Sequence, residues 1–400
     1  MPFLKISIVG AGFAGLAAGL LLRRSGHQVD IFEKFETPKP VGAGVLIQPT
    51  GLWAMRKLGI EQEMLAAGAK VDWLYGVNPR SRAVIDIRYN NWREGAYGLG
   101  LHRGALFNAL WQRCVDSGVQ IHAGMAIDGL CEDRQSSTIT AAGQSINRAD
   151  LTIICDGSHS TVRALTGLSY RARPYPWGAY WAVLPCASLG HGSTLLQWYR
   201  GASQMLGLMP TGIDPNTGEP VVSLFWSLHN QAKDQFINDG IAAWKSQVLA
   251  LAPKLEPIIG QVTSTAYLSW ARYYDVVMPK YHTARCVVIG DAAHATSPQL
   301  GQGTNLALLD AVALNDCINQ HTDVPKALAS YTAQRRGHLH FYSQASRLLT
   351  PIFQSNLTTI PWLRDQFLAV SARLPIMKGV NHQTLVGVRK GWLGGQLNVD

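Results

Sequence analysis

The run Gly10-Ala-Gly12-Phe-Ala-Gly15 lies between the apolar run Lys5-Ile-Ser-Ile-Val9 and a leucine- and alanine-rich stretch from Leu16 to Arg24, and it restricts this chain more than any other feature. The first run has the character of a buried strand and the second the length and composition of a helix. A turn between them with glycine at these three places allows a tight bend, close approach of the backbone to a ligand, and close packing of helix on strand. A ligand phosphate would then sit at the helix N-terminus, where backbone N–H groups point outward. The next run, His27-Gln-Val-Asp-Ile-Phe32, leads into Glu33 and Lys34. An acid at that distance from the turn suits a ribose hydroxyl. Gly10, Gly12, Ala14, Gly15, Glu33 and Lys34 are therefore expected to hold the adenosine and pyrophosphate of a dinucleotide, FAD or NAD(P).

Two later segments separate these cofactors. Leu151-Thr-Ile-Ile-Cys155 reads as a buried strand followed by Asp156-Gly157-Ser-His-Ser160-Thr-Val-Arg163. Arg285-Cys-Val-Val-Ile-Gly290 reads as another, and it delivers Asp291 at its C-terminal end, where ligands bind in parallel α/β sheets. Asp291 is the candidate partner of a ribityl hydroxyl. Pro298, Gly301 and Gly303 then lead into a helical pattern from Thr304 to Asn315. The N-terminus of such a helix suits the N1–C2=O edge of a flavin, which turns anionic on reduction.

This arrangement resembles the single-component flavoprotein monooxygenases, the para-hydroxybenzoate hydroxylase-like family, and the resemblance extends over nearly the whole chain. Leu101-His102-Arg103-Gly-Ala-Leu106 is similar to the family segment whose arginine contacts the flavin phosphates, which assigns that contact to Arg103. Gly42-Ala-Gly44-Val45-Leu-Ile-Gln48-Pro49 resembles the loop beside the isoalloxazine, and Gly124-Met-Ala-Ile127 the segment whose main chain touches adenine. Asp156 matches the second motif near the pyrophosphate, and Pro298, Gly301, Gly303, Thr304 and Asn305 match the flavin-facing loop. The resemblance implies that NADPH or NADH binds transiently and reduces FAD, that O2 adds to the reduced ring at C4a, and that the hydroperoxide passes OH to an aromatic or other electron-rich small molecule. Hydroxylation and epoxidation both fit this chemistry.

The expected fold class is α/β, with a Rossmann-like FAD domain, an inserted antiparallel substrate sheet and C-terminal helices. Strand–helix alternation assigns 1–75, 98–168 and 277–345 to the FAD domain, 76–97 and 169–276 to the sheet, and 346–400 to the helical end. Thr194–Tyr199, Met205–Met209 and Val221–Leu228 read as antiparallel strands. In this aromatic-rich region Tyr180, Trp181, Tyr199 and Trp226 are the pocket candidates, although a slip of register would turn each away. His102 and His294 read as hydrogen-bonded structural histidines, His294 because the sequence pairs it with no acid. No residue is assigned as a substrate-side base.

With 35 basic and 26 acidic residues the chain carries a net charge of +9, which steers anionic small molecules. No basic run or nucleic-acid motif accompanies it, so nucleic acid is not an expected partner. The six cysteines lack metal-ligand spacing, and Cys155 and Cys286 sit in apolar runs, which fits free thiols in a reducing cytoplasm. The stretch from Leu348 to Leu374 mixes apolar residues with arginines; a packed helical cap is favoured over a membrane-surface segment because Pro351, Pro361 and Pro375 interrupt it. Nothing in the sequence fixes the oligomeric state. Three other readings compete. A flavin halogenase would carry W-x-W-x-I-P, which Tyr180-Trp-Ala-Val-Leu-Pro185 matches only loosely; the others are a flavin oxidase and a non-catalytic FAD-binding protein.

Overall fold

The computed structural model describes residues 3–38, 43–186, 192–371 and 375–399. Gly42 lies outside the described residues. The strands Lys5–Val9, Gln28–Glu33, Leu151–Ile154, Cys286–Val288 and Gln120–Ala123 form one parallel sheet. In it Lys5–Val9 lies between Gln28–Glu33 and Leu151–Ile154. Parallel strands buried on both faces need continuous apolar runs. Ile6, Ile8, Ile31, Leu151, Ile153, Val287 and Val288 meet that need, each at most 1% exposed. The helices Phe13–Arg24 and Gly303–Gln320 pack together on this core. As in other open α/β sheets, the ends of the central strands present the turns that follow them on one edge.

A second sheet has seven strands, in the order Ser269–Val277, Arg171–Pro185, Pro220–His229, Gln204–Ile213, Thr194–Arg200, Trp73–Val77 and Ala83–Arg88. The three strands read from the sequence between 194 and 228 are present, with longer ends. Trp73–Val77 enters the sheet ahead of residue 76, and it pairs in parallel with Thr194–Arg200. Successive side chains alternate between faces. Tyr180, Ala182, Leu206, Leu208, Leu224 and Trp226 face a core that also contains Phe236, Trp244 and Val248 of the helix Lys233–Leu251. Ala179, Tyr199, Met205 and Phe225, with Trp181 and Tyr273 beside them, belong to the opposite face.

That opposite face meets a separate three-stranded sheet, in which Gly98–His102 lies between Gly44–Ile47 and Ala69–Val71. A Cβ on Gly44, in the strand Gly44–Ile47, would lie 2.4 Å from Ser223 Oγ and 3.0 Å from Met209 Cε, so only glycine lets this strand approach so closely. The helix Val324–Phe353 runs without a break across residue 345 and packs Phe353 near Tyr199. The prolines expected to interrupt the C-terminal stretch lie near helix ends. Pro351 falls in the last turn of that helix, Pro361 in the first turn of Thr359–Ser371, and Pro375 opens Pro375–Val386. Near a helix start proline's missing N–H leaves no bond unmade. Among the described residues no helix is long and apolar enough to cross a membrane, and no cluster of side chains forms a metal site. All six cysteines are free, with Cys155 and Cys286 buried.

Candidate active site

Glycine geometry draws the three separated segments together. Gly10 has φ +106°, and a Cβ there would lie 2.7 Å from the Cys155 carbonyl oxygen and 2.9 Å from Asp156 Cα. Any side chain would force the first turn away from the second. At Gly290, φ +62°, a Cβ would meet that of Ala14 at 2.9 Å, which brings in the third segment. Arg103 sits over the Phe13 ring, 4.9 Å from its centroid, and interacts with the charge of Asp291. Asp291 in turn lies 3.7 Å from where a Cβ on Gly303 would stand, beside the start of the helix Gly303–Gln320.

The residues present fit FAD. Gly12 is exposed beside the buried Ala11 and has nothing within 4 Å of a would-be Cβ, so the turn leaves open space where a pyrophosphate is expected. The helices Phe13–Arg24 and Gly303–Gln320 begin without a side-chain cap and without an acid in the first turn, leaving N–H groups for an anionic ligand. Arg103 Nε and Asp156 Oδ1 are buried without hydrogen-bond partners. Burial lowers the Arg103 pKa, with Asp291 and then Tyr273 opposing, while burial raises that of Asp156 against its bond to Ser160. Orphaned buried polar groups are costly unless a ligand completes them.

The other expected contacts divide into two kinds. Glu33 Oε2 accepts from Ala11 N at 2.8 Å and Oε1 from Phe35 N at 3.1 Å; each oxygen keeps a second acceptor direction for a ribose hydroxyl. Gly301, at φ +59°, closes the short turn Pro298–Leu300 with open space around it, and Thr304 lies in the first turn of the following helix. Val45 and Ile127 are buried. Lys34 is exposed and stacks on Phe35. Asn305 is committed to the protein: its Oδ1 accepts from Gln48 N at 2.9 Å, and its Nδ2 donates to Leu46 O at 3.1 Å and Gly301 O at 3.0 Å. Its side chain ties the Gly44–Ile47 strand to the flavin-facing turn.

The four aromatic pocket candidates do not share a pocket. Tyr180 stacks on Phe236 at 4.2 Å, and Trp226 is 1% exposed in the same far-face core, because register places both opposite each other and Trp270. Tyr199 shares the near face but is buried beneath Phe353 and the Arg364 guanidinium. Trp181 remains; its indole Nε1 donates to the Tyr273 hydroxyl at 2.8 Å, and its ring meets Phe225 edge-on at 4.9 Å. Tyr273 is thus a candidate residue that the sequence reading did not single out. Burial pushes its phenol well above the ordinary tyrosine range, so it stays protonated and is a donor, not a base.

Behind Asp291 lies a buried charge network that the sequence did not reveal. Asp310, fully buried, accepts from Gly290 N at 2.9 Å, His294 Nε2 at 2.5 Å and Arg335 Nε at 2.8 Å. His294 is structural, as expected, but it does have an acid partner. Burial opposes the Asp310 charge, yet His294 and Arg335 outweigh it and hold the carboxyl well below the usual range. Arg335 also donates to His338 Nδ1 at 2.8 Å, and His338 Nε2 donates to Gly387 O at 2.8 Å. His102 caps the helix Arg103–Asp116 by accepting from Gly104 N.

Residues 384–387 close over this region. Gln302, the residue before the flavin-facing helix, donates to Leu385 O at 2.6 Å, and Thr50 donates to Val386 O at 3.1 Å. Gly387 has φ +91° and would place a Cβ 2.2 Å from Thr50 Oγ1. The position of the helix start therefore depends on the end of the chain.

Burial, then the Arg335 charge, drives His338 down to about 3, and burial drives His282 to about 4. Both are neutral when folded, whereas an unfolded imidazole titrates near ~6.5. Their contribution is complete above that value and is lost as pH falls toward the folded values. The melting temperature is expected to drop between pH 7 and pH 4.5, and His338→Gln should flatten the drop; thermal melts across that range check this.

Comparison with known proteins agrees with the geometry. The family described as FAD binding domain matches residues 4–342. The aurachin C monooxygenase/isomerase of Stigmatella aurantiaca is 26% identical, over 91% of this chain and 94% of that protein. The kynurenine 3-monooxygenase of Salinispora arenicola is 29% identical, over 84% of this chain and 76% of that protein. The structure of Klebsiella pneumoniae HpxO complexed with FAD and uric acid superposes with a TM-score of 0.81 at 22% identity, covering 98% of each chain, a likeness of fold. The cofactor cradle and the match from residue 4 to residue 342 lead to one conclusion: the chain belongs to the FAD binding domain family and is a single-component FAD-dependent aromatic-ring monooxygenase.

Proposed function

We propose that the substrate is a planar, electron-rich aromatic small molecule with a hydrogen-bond acceptor, held on the sheet face bearing Trp181, Phe225 and Tyr273. The observation that carries this reading is that the strand Gly44–Ile47 packs closely on Ser223 of that sheet face while Arg103 N donates to Ala43 O at 3.1 Å, which brings the cofactor cradle against the aromatic face; the charges of Asp291 and Tyr273 both act on Arg103. FAD, when bound, supplies the electron relay between NADPH or NADH and O2. The chain's residues do the rest. Gly10, Gly12, Ala14 and Gly15 seat the pyrophosphate, with Arg103 and Asp156 beside it. Glu33 takes a ribose hydroxyl and Asp291 a ribityl hydroxyl. The N-terminus of Gly303–Gln320 offers N–H groups to negative charge on the ring. Trp181 orients the Tyr273 hydroxyl, whose own proton is left to donate to the substrate.

The relatives' printed names, kynurenine 3-monooxygenase and FAD-dependent urate hydroxylase among them, support a small aromatic or heteroaromatic substrate. The free buried thiols support a reducing, cytoplasmic setting. A screen of aromatic compounds for stimulation of NADPH and NADH oxidation tests the reading. At least one class should accelerate it, and a rate indifferent to every aromatic compound would contradict it. Tyr273→Phe removes one donor to the substrate, worth ~1 kcal/mol or about fivefold in affinity. With any stimulating compound the variant should show a KM raised about fivefold and more H2O2 released per NAD(P)H consumed, both read by steady-state assays.

A further inference from the structure

A cavity of about 200 Å3 lies beside the flavin-facing turn, lined by Arg173, Tyr175, Asp275, Ser297, Arg347 and Thr350 among others. It opens where the pairing of Arg171–Pro185 with Ser269–Val277 slips between Pro174 and Gly178. Ser297 immediately precedes Pro298, so the cavity abuts the turn that starts the flavin-facing helix. Its hydrogen-bonding capacity is one-sided. Ser297 and Ser346 share a bond of 2.6 Å, and Thr350 donates to Ser346 O at 2.8 Å, so these hydroxyls satisfy one another. The carboxylate of Asp275 is taken up by Arg347 Nε at 2.8 and 3.1 Å, with Arg171 at 3.8 Å.

Two donors are left over. Tyr175 is 8% exposed, and its hydroxyl lies near Thr350 and Ser297 yet is buried without a hydrogen-bond partner. Arg173 lines the cavity from its exposed side and has no ion-pair or hydrogen-bond partner among the described residues. Arg347 and Arg171 already hold the Asp275 carboxylate, and Arg173 stands opposite Asp275 in the strand pairing, so the positive charge here exceeds the negative. A cavity with donors to spare and a surplus of positive charge favours an oxyanion.

We propose that this cavity is a binding site for a carboxylate or phosphate group, separate from the aromatic face at Trp181 and Tyr273, and that it anchors the acidic end of a small molecule approaching the flavin-facing turn. The anchored group comes either from the phosphates of the pyridine-nucleotide reductant or from a carboxylate on the substrate. Its existence does not depend on which compound is hydroxylated, so it is tested without turnover of substrate.

The test is calorimetric titration of the FAD-loaded full chain with inorganic phosphate and with acetate, on the native protein and on Arg173→Gln and Tyr175→Phe. Arg173→Gln removes no ion pair or hydrogen bond among the described residues, Tyr175→Phe removes only the hydroxyl beside Thr350 and Ser297, and FAD content and melting temperature monitor folding. Saturable binding of either anion, weakened at least tenfold in Arg173→Gln and severalfold in Tyr175→Phe, is the expected result. Rapid-mixing measurements of flavin reduction then identify the source. Phosphate competing with NADPH alone identifies its extra phosphate, competition with both nucleotides identifies the shared pyrophosphate, and competition with neither leaves the substrate carboxylate. Absence of saturable binding to the native protein, or equal affinity in both variants, would overturn the proposal.

Discussion

Asp291→Ala should weaken FAD binding about ten- to a hundredfold while leaving the fold intact, because hydrogen bonds to charged groups contribute ~1.5–3 kcal/mol. Asp291 is exposed, follows the positive-φ Gly290, and meets the charge of Arg103. Arg103→Ala should cost as much, since its Nε is a buried donor that no protein group satisfies. Glu33→Gln should cost less, because an amide oxygen still accepts from Ala11 N or from a ribose. Titration of apo-protein with FAD, followed by flavin fluorescence, gives the order. Unchanged affinity in Asp291→Ala would mean that the cradle has been assigned to the wrong segment.

Asp310→Ala should destabilise the protein by about 3–5 kcal/mol, the usual cost of removing one partner from a buried charged pair. Arg335, 2% exposed, would lose its carboxylate partner, and Gly290 N would lose its acceptor. Asp310→Asn should cost less, because it retains an oxygen for one of those donors. Because the native carboxyl is held low, its contribution is present above the unfolded value near ~4 and is lost as pH falls through the folded one. Denaturant unfolding at neutral pH measures the difference. Apo-protein shows whether the loss precedes any effect on the cofactor.

The cofactor half of the site was legible because it is written in local patterns. Strand, turn and helix follow one another in the sequence around Gly10 and Gly15, although the contacts that exclude a side chain at Gly10 and Gly290 come from Cys155, Asp156 and Ala14, far away along the chain. Even there, Asn305 read as a cofactor contact, whereas its amide is spent on Leu46, Gln48 and Gly301. The substrate half depends on which face of a strand a side chain takes. Tyr180 and Trp181 are adjacent in sequence and lie on opposite faces; only pairing with Phe225 and Trp226 decides which one looks toward the cofactor domain. Tyr273 escaped notice because what singles it out is a bond from Trp181, 92 residues away. The network from Asp310 through Arg335 and His338 to Gly387 spans three distant parts of the chain. Arg335 and His338 stand three apart on one helix face, but nothing local marks Asp310 as their partner.

The most direct measurement is turnover under 18O2 with NADPH or NADH and an aromatic compound that stimulates reductant oxidation, followed by mass spectrometry of the product. Monooxygenation at the Trp181–Tyr273 face predicts one labelled oxygen atom per product molecule and suppression of H2O2 release by substrate. Consumption of reductant that yields only stoichiometric H2O2, with no label in any organic product, would contradict it and establish an oxidase.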